Sequence, residues 1–555
     1  MAAACMPPRE TSHHINGAKA MSMQHKPKAQ ASPHTLLTTM STMSFSQELL
    51  ISTLAIILVF MYTLYLRSSR SKGPAVLPTN WPIVGVLPSL VANLHNLHDY
   101  LAVVLAGSGH NFRATGPPGT GMRFFVTCDP ANVRHIFTSN HANFPKGAEF
   151  AAIFDIAGGS FFTTEGEPWR RQRARAQRVL SNPRLVATMT ACCLDKVENG
   201  LLPVLMHMAT TATPFDLQAL TTRLVFDMTA APLFGVDPGL LSSDMPPMDA
   251  AVAMDTVMEV ALFRHIVPAF GWKVMRRLNI GPERKLASAH TVLRGFVAEM
   301  MERRKMKEHA AAGDEEAPSS VDILSSYIDD PDYQQNDGLL HATLINYMIA
   351  GRDTISTALT WVFYNLAQNP RVMSVIRNEL SPIASRKAAS DSSSTMVIFE
   401  PEETKSLVFM RAALQESLRL HPPVPIERKT AVASDVMPSG HVVHAGDTLL
   451  ISLHSMGRME EVWGKDCREY NPDRWLSEDG KKLRYVPSHK FLAFSSGPRI
   501  CLGKDISFMQ MNTIVAAMVW NFDVELVDGL KVQPEMSCVL HMKNGLMVKL
   551  KKREM

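Results

Sequence analysis

The 555-residue chain is 46% hydrophobic and 19% charged, and 56 basic residues face 52 acidic ones for a net charge of +4. That composition excludes a disordered chain and is enough to bury a large core. The balanced charge, with no basic block interleaved with aromatics, gives nucleic acid no footing as a partner.

Residues 1–48 are rich in Ser, Thr and Ala, with Arg9, Lys19, Lys26 and Lys28 and, before Glu48, only Glu10 as an acid. They read as a disordered leader; plastid import, which favours such a composition, is the lesser reading. Residues 49–66, LLISTLAIILVFMYTLYL, form an apolar run whose helix would span about 27 Å, enough for a bilayer core. Arg67, Arg70 and Lys72 follow directly, and residues 29–48 hold no Lys or Arg. The positive-inside rule then places the C-terminal side in the cytosol. A single-pass anchor is expected rather than a buried core helix, because the run has no polar face.

A proline-rich arm follows over 67–88, stiffened by fixed φ angles, and a catalytic domain over 89–555. GMRFFVT at 121–127 reads as a strand, and DPANVRHIF at 129–137 as a helix entered through Asp129 and Pro130. Helical patterning then dominates to about residue 310. KEHAAAGDEEAPSS at 307–320 reads as a linker and SRKAASDSSST at 385–395 as a serine-rich loop. HVVHAGDTLLISLHS at 441–455 reads as strands around a Gly446-Asp447 turn. The fold class expected is mainly α with a smaller β region.

On the basic helix WRRQRARAQR, Trp169 and Arg173 are four apart and share a face, while Arg170, Arg171, Arg175 and Arg178 read as solvated. LINYMIAGRDTISTALTWVFYNLA at 344–367 is an apolar helix interrupted by Ala350-Gly351-Arg352-Asp353-Thr354. Small residues followed by an acid and an alcohol read as a local opening for a small ligand, with the Thr354 hydroxyl free to bond the Ala350 carbonyl. An equal alternative is that Asp353 is paired with an arginine and Thr354 is filler. Glu416 and Arg419 are three apart on one helix face, and Arg474 follows in the turn YNPDRW. A folded-back turn would complete a Glu416–Arg419–Arg474 cluster.

The seven cysteines include no CxxC pair, which argues against a disulfide framework or a cysteine zinc site. No N-x-[ST] acceptor occurs, which favours a body kept out of the secretory lumen. His95 and His98, like His441 and His444, are three apart, and the second pair would point to opposite faces of a strand. There is no HExxH, P-loop or dinucleotide fingerprint.

One cysteine is set apart, in FSSGPRICLG at 494–503. Gly497 and Gly503 leave room for close backbone approach to a flat group, Phe494 offers a ring, and Arg499 a fixed cation. Cys501 stands just before a helix, whose N-terminus lowers a thiol's pKa. The pattern fits a thiolate held beneath an anionic planar cofactor.

With this stretch, AGRDT, ExxR and PDRW in order, residues 73–550 resemble a cytochrome P-450, a haem-thiolate monooxygenase. The resemblance implies that fold, haem b as cofactor, Cys501 as axial iron ligand, and Arg499, Trp169 and Arg173 as partners of the haem propionates. It implies that Phe494 packs near the sulfur, that Asp353 and Thr354 are the acid–alcohol pair beside the oxygen site, and that Glu416, Arg419 and Arg474 support the haem-binding loop. Ile355 departs from the pattern, since many members carry a second Thr or Ser there. The implied partners are O2, a membrane and NADPH–cytochrome P-450 reductase, docking near the Arg170–Arg178 face. LPTNWPIVG, LHSMGRMEEVWG and RKTAVASDVMPSGH are similar to the plant group that hydroxylates long-chain fatty acids and alkanes, which implies a long-chain lipid substrate and the endoplasmic reticulum membrane. The alternatives are a haem-thiolate isomerase or dehydratase of lipid hydroperoxides and a monooxygenase of another small hydrophobic substrate.

Overall fold

A computed structural model of the chain describes residues 78, 80, 81, 83–242, 244–311, 321–390 and 396–554. The leader, the apolar run 49–66 and most of the proline-rich arm lie outside them. Among the described residues no helix is long and apolar enough to cross a bilayer. The end of the arm is fastened to the body: the Val86 amide donates to the Thr115 carbonyl at 2.9 Å, and Val86 is buried.

Helices dominate, as the periodicity predicts. The helices that shape the site are α1 (Pro130–Arg134), α2 (Gly166–Leu180), α3 (Leu217–Phe234), α4 (Asp249–Ile266), α5 (Ala269–Leu278), α6 (Gly281–Ala311), α7 (Asp337–Gln368), α8 (Pro370–Ser390), α9 (Val408–Leu420) and α10 (Lys504–Asn521). Asp129 caps α1 by accepting from the Ala131 amide, with Pro130 in the first turn. The helix predicted over 344–367 starts earlier, at Asp337, where Asn336 caps it through the Leu339 amide. α7 is buried nearly all round, as its apolar sequence requires, and runs through the middle of the body against α3.

Two segments expected to be irregular are partly helical. α6 continues into the expected linker as far as Ala311, and α8 takes in residues 385–390 of the expected serine-rich loop. Lys, Glu and Ala are strong helix formers, and their charges lie on solvated faces, so charge alone does not end a helix.

A four-stranded sheet closes one side. It contains β1 (Asn111–Thr115), β2 (Arg123–Thr127), β3 (Ile426–Thr430) and β4 (Thr448–Ser452), in the order β1-β2-β4-β3. β2 and β4 run parallel, with Phe125 opposite Leu449, and the other pairs are antiparallel. The strands around Gly446-Asp447 exist, but they are not a hairpin. Val442–Val443 pairs with Asp435–Val436, whereas β4 pairs with β2 and β3. Asp447 explains the split. It is buried and ion-paired with Arg113 and Arg123, which fixes this turn onto the far edge of the sheet.

Candidate functional site

A cavity of about 580 Å³ opens between the sheet, α4, α7 and the loop before α10. The loop is built by local geometry. The Cys501 amide donates to the Phe494 carbonyl at 2.8 Å, and the Ile500 amide to Gly497 at 3.1 Å. Gly497 has φ +64°, and a Cβ there would lie 1.9 Å from the Phe137 carbonyl oxygen. Its smallness serves contact with Phe137, not approach to a flat ligand as the sequence suggested. Gly503 does line the cavity, and its amide favours the Cys501 thiolate. Phe494 lines the cavity too and leans on Phe508 of α10, with ring centroids 5.0 Å apart.

The Cys501 side chain faces the cavity. Burial pushes its thiol above the usual range, against the opposing pull of the Gly503 amide, Arg173 and Lys504. The expected net lowering by the helix N-terminus is therefore not seen, because α10 begins only at Lys504 and desolvation outweighs it. Binding a metal deprotonates a coordinating thiol outright, so this does not bar it as a ligand.

Trp169 and Arg173 line the same cavity, as their spacing on α2 predicts. The Arg499 guanidinium lies 4.5 Å from the Trp169 ring centroid, donates to Thr164 at 2.7 Å, and is paired with Glu165. Arg173 donates to the Ile500 carbonyl. Not all of the basic face of α2 is solvated. Arg170, Arg171 and Arg178 are exposed, but Arg175 is paired with Asp330 and lies over the Tyr327 ring.

Two lysines missing from the sequence expectation complete this wall. Lys146 and Lys429 both line the cavity. Burial holds both ammonium groups below the usual lysine range, and Lys429 and Arg499 lower Lys146 further. Lys146 donates to the Phe162 carbonyl at 3.1 Å and lies 3.8 Å from the Phe162 ring centroid. The clue in the sequence was Glu427-Arg428-Lys429, three successive charges inside a strand that must be half-buried. Lys146, Lys429 and Arg499 face Glu165 and Glu427, while Arg173 faces Arg499 and Cys501. The basic groups outnumber the two carboxylates at this wall, so the residues fit a planar anionic group that also takes a thiolate ligand.

α7 supplies the opposite wall. Ala350, Gly351, Asp353 and Thr354 line the cavity. The Thr354 hydroxyl donates to Ala350 at 2.9 Å, as expected. Gly351 is only partly an opening: a Cβ there would meet Thr229 of α3 at 2.7 Å, so helix packing also demands it. Asp353 is paired with an arginine, its own neighbour. Arg352 donates to Asp353 Oδ1 at 2.6 Å and to Asp255 of α4 at 2.5 Å. Asp353 Oδ2 is buried with no partner. Burial raises the Asp353 carboxyl to about 6, Arg352 opposing and Asp255 adding to the rise. Ser356 is buried, bonded to the Arg352 carbonyl at 2.8 Å, and does not line the cavity.

The Glu416–Arg419–Arg474 cluster forms. Glu416 accepts from Arg419 at 2.7 and 2.8 Å and from Arg474 at 2.8 Å. Trp475 Nε1 and the Asn471 amide add bonds at 2.9 and 2.8 Å. Arg419 also donates to the Cys467 and Glu469 carbonyls, which ties α9 to the chain leading to the cysteine loop. Among the described residues there is no cluster of three or more His, Cys, Asp or Glu placed to hold a metal ion.

A family model described as Cytochrome P450 matches residues 75–550. Noroxomaritidine synthase 1 of Narcissus pseudonarcissus is 37% identical over 507 residues, covering 91% of this chain and 96% of that protein. Cytochrome P450 86B1 of Arabidopsis thaliana is 37% identical over 511 residues, covering 91% and 89%. Alkane hydroxylase MAH1 of Arabidopsis thaliana is 33% identical over 502 residues, covering 89% and 97%. A match over residues 75–550, most of the sequence, makes this chain a member of the cytochrome P450 family.

Proposed function

We propose that the protein hydroxylates long aliphatic chains, with Cys501 as the ligand of its haem iron and electrons delivered by an NADPH-dependent reductase. Haem b is the family's cofactor, and it supplies the oxygen-activating chemistry when bound. The observation that carries the substrate reading is the apolar lining of the cavity. Together with Cys501 and Thr354 it is lined mostly by apolar side chains, among them Phe161, Phe162, Ile266, Leu90 and Leu101. An apolar cavity binds a chain by burying its methylenes, at roughly 0.8 kcal/mol each. Relatives named noroxomaritidine synthase and alkane hydroxylase match comparably, so likeness alone does not choose a substrate.

Lys146, Arg173, Lys429 and Arg499 hold the two haem carboxylates, and Phe494 shields the sulfur. Thr354 and Asp353 hold a proton at the cavity wall, Asp353 being half-protonated near pH 6 and so able both to take and to give one. The exposed Arg170, Arg171 and Arg178 offer an acidic reductase a docking face. The body belongs at the cytosolic face of the endoplasmic reticulum. In support, α5 exposes Phe270, Val274 and Leu278 at successive turns beside Lys273 and Arg277, the pattern of a helix lying on a bilayer.

The test uses microsomes holding the full chain and a reductase, fed alkanes, alcohols and fatty acids of graded length, with products mapped by mass spectrometry. NADPH-dependent hydroxylated chains are expected. Rearrangement of lipid hydroperoxides without NADPH, and no aliphatic hydroxylation, would overturn the reading in favour of an isomerase.

A further inference from the structure

Asn346 lies on α7, is 4% exposed, and lines the cavity. Its side-chain amide makes no hydrogen bond among the described residues, yet it is not sealed off as the orphaned buried groups are. What it opens onto is the cavity. Residues 346, 350, 353 and 354 fall on one helical face, and all four line the cavity. The amide is therefore aimed along the same wall as Thr354, eight residues away, which is about 12 Å at the rise of an α-helix.

The neighbouring polar groups are committed elsewhere. The Tyr347 hydroxyl bonds Tyr327 at 2.8 Å, and Arg428 is paired with Glu149 and bonded to Thr448. Thr354 is bonded to Ala350, and Asp353 to Arg352. An amide with two donors and an acceptor, left open in a mostly apolar cavity, costs free energy until a ligand satisfies it. Sites that are mostly apolar with a few open polar groups use those groups to fix the ligand's position.

The charge of the ligand follows from what surrounds Asn346. Arg352, the cation on this stretch of α7, is bound to Asp255 and Asp353. Arg428, which also lines the cavity and acts on His265, is likewise paired, with Glu149, so a carboxylate at Asn346 would be buried without an unpaired cation, which is expensive. A neutral oxygen is not. His265 of α4, also on the cavity wall, agrees with this. Its Nδ1 lies 2.7 Å from the Ala261 carbonyl and must carry the proton there, so Nε2 is a bare acceptor. Burial and Arg428 hold this imidazole down at about 4, so it is neutral at physiological pH.

We propose that Asn346 recognises a neutral oxygen function, hydroxyl or carbonyl, on the aliphatic substrate and so sets which carbon reaches Thr354. The inference rests on the long-chain reading above and sharpens it: the preferred substrate is an already oxygenated chain rather than a plain alkane or a free carboxylate. A reaction that installs a hydroxyl or carbonyl on the hydrocarbon must come first. An extended chain advances about 1.25 Å per bond, so 12 Å corresponds to roughly ten bonds between the oxygen-bearing carbon and the carbon attacked.

The test is a spectral binding titration of the full-length, haem-loaded protein with hexadecane, hexadecan-1-ol and hexadecanoate. The alcohol is expected to bind about tenfold more tightly than the alkane, the effect of one satisfied hydrogen bond. Asn346→Leu should abolish that gap, so that the alcohol no longer binds more tightly than hexadecane. Asn346→Gln should keep it and move the hydroxylated carbon by one position. Equal binding of alkane and alcohol by the unaltered protein, or a gap that survives Asn346→Leu, overturns the assignment of Asn346 alone. No response to any of the three ligands overturns the long-chain reading and this inference with it. If Asn346→Leu does not fold, the product position of Asn346→Gln decides, and an unmoved position refutes the proposal.

Discussion

Arg352 and Asp353 are adjacent on one buried helix, and the guanidinium of the first stands 2.6 Å from the carboxylate of the second. The same guanidinium nitrogen reaches Asp255, whose side chain is 37% exposed. A single cation thus joins a carboxylate at the cavity wall to one in contact with solvent.

The first prediction concerns this bridge. The negative charge of Asp255 helps raise Asp353. Asp255→Asn should lower the Asp353 pKa and leave less of its protonated form at neutral pH. Coupling of NADPH consumption to product should fall severalfold at pH 7.5 and recover on acidification, whereas the unaltered protein loses coupling as pH rises through about 6. Stability has the same sign. Asp353 rises from 3.8 to about 6 on folding, so its contribution is complete below about 4 and is lost as pH rises past 6. Melting curves of Asp353→Asn and the unaltered protein should therefore differ by an amount that changes between pH 4 and 7. A pH-independent difference, and an unmoved coupling profile in Asp255→Asn, would refute the role.

Thr354→Ala should leave substrate-induced spectra intact and release peroxide in place of product. Ser356 cannot take over, because it is buried and bonded to the Arg352 carbonyl. Peroxide yield per NADPH measures this directly, and unchanged coupling would remove Thr354 from the proton path.

The legible part of this site was the part encoded locally. The cysteine loop, the Thr354 back-bond and the Glu416–Arg419 pair each depend on residues within about ten positions, and their spacing announces them. Lys146, Asp255 and Asn346 were not legible, and Lys429 showed only as one of three successive charges in a strand, since each matters because a distant segment leaves it facing the cavity or the Arg352 guanidinium. Gly497 shows the limit well. The sequence marked it as special, but the reason, the Phe137 carbonyl, lies more than 300 residues earlier. The helical class was readable from periodicity, whereas the pairing of β4 with β2, set by buried Asp447, was not.

Gly497→Ala should be severe for two separate reasons. The left-handed backbone costs an ordinary residue about 1–2 kcal/mol, and the Cβ collides with backbone rather than with a flexible side chain. Haem content, read from the Soret band of purified protein, should fall well below half of normal. Full occupancy would show that the Phe137 segment yields easily.

Glu416→Gln removes a charge that two arginines share in a site closed to solvent. Breaking a buried pair by removing one partner typically costs 3–5 kcal/mol. The melting midpoint should drop by several degrees or the protein should fail to accumulate. An unchanged midpoint would mean that the arginine–carbonyl bonds alone hold the loop.

Cys501→Ala should abolish the red-shifted absorption of the reduced carbon monoxide complex. Survival of that band would assign the iron to another residue.

The cavity wall is assembled from opposite ends of the chain. Lys146 and Arg173 belong to its first third, and Lys429, Arg499 and Cys501 to its last quarter. Glu416 finds Asn471, Arg474 and Trp475 only after those residues exist. A ribosome therefore releases nearly the whole polypeptide before any pocket able to grip the cofactor is present. The pocket is thus completed only late in synthesis, and until then the nascent protein must keep an apolar, half-made groove away from its neighbours.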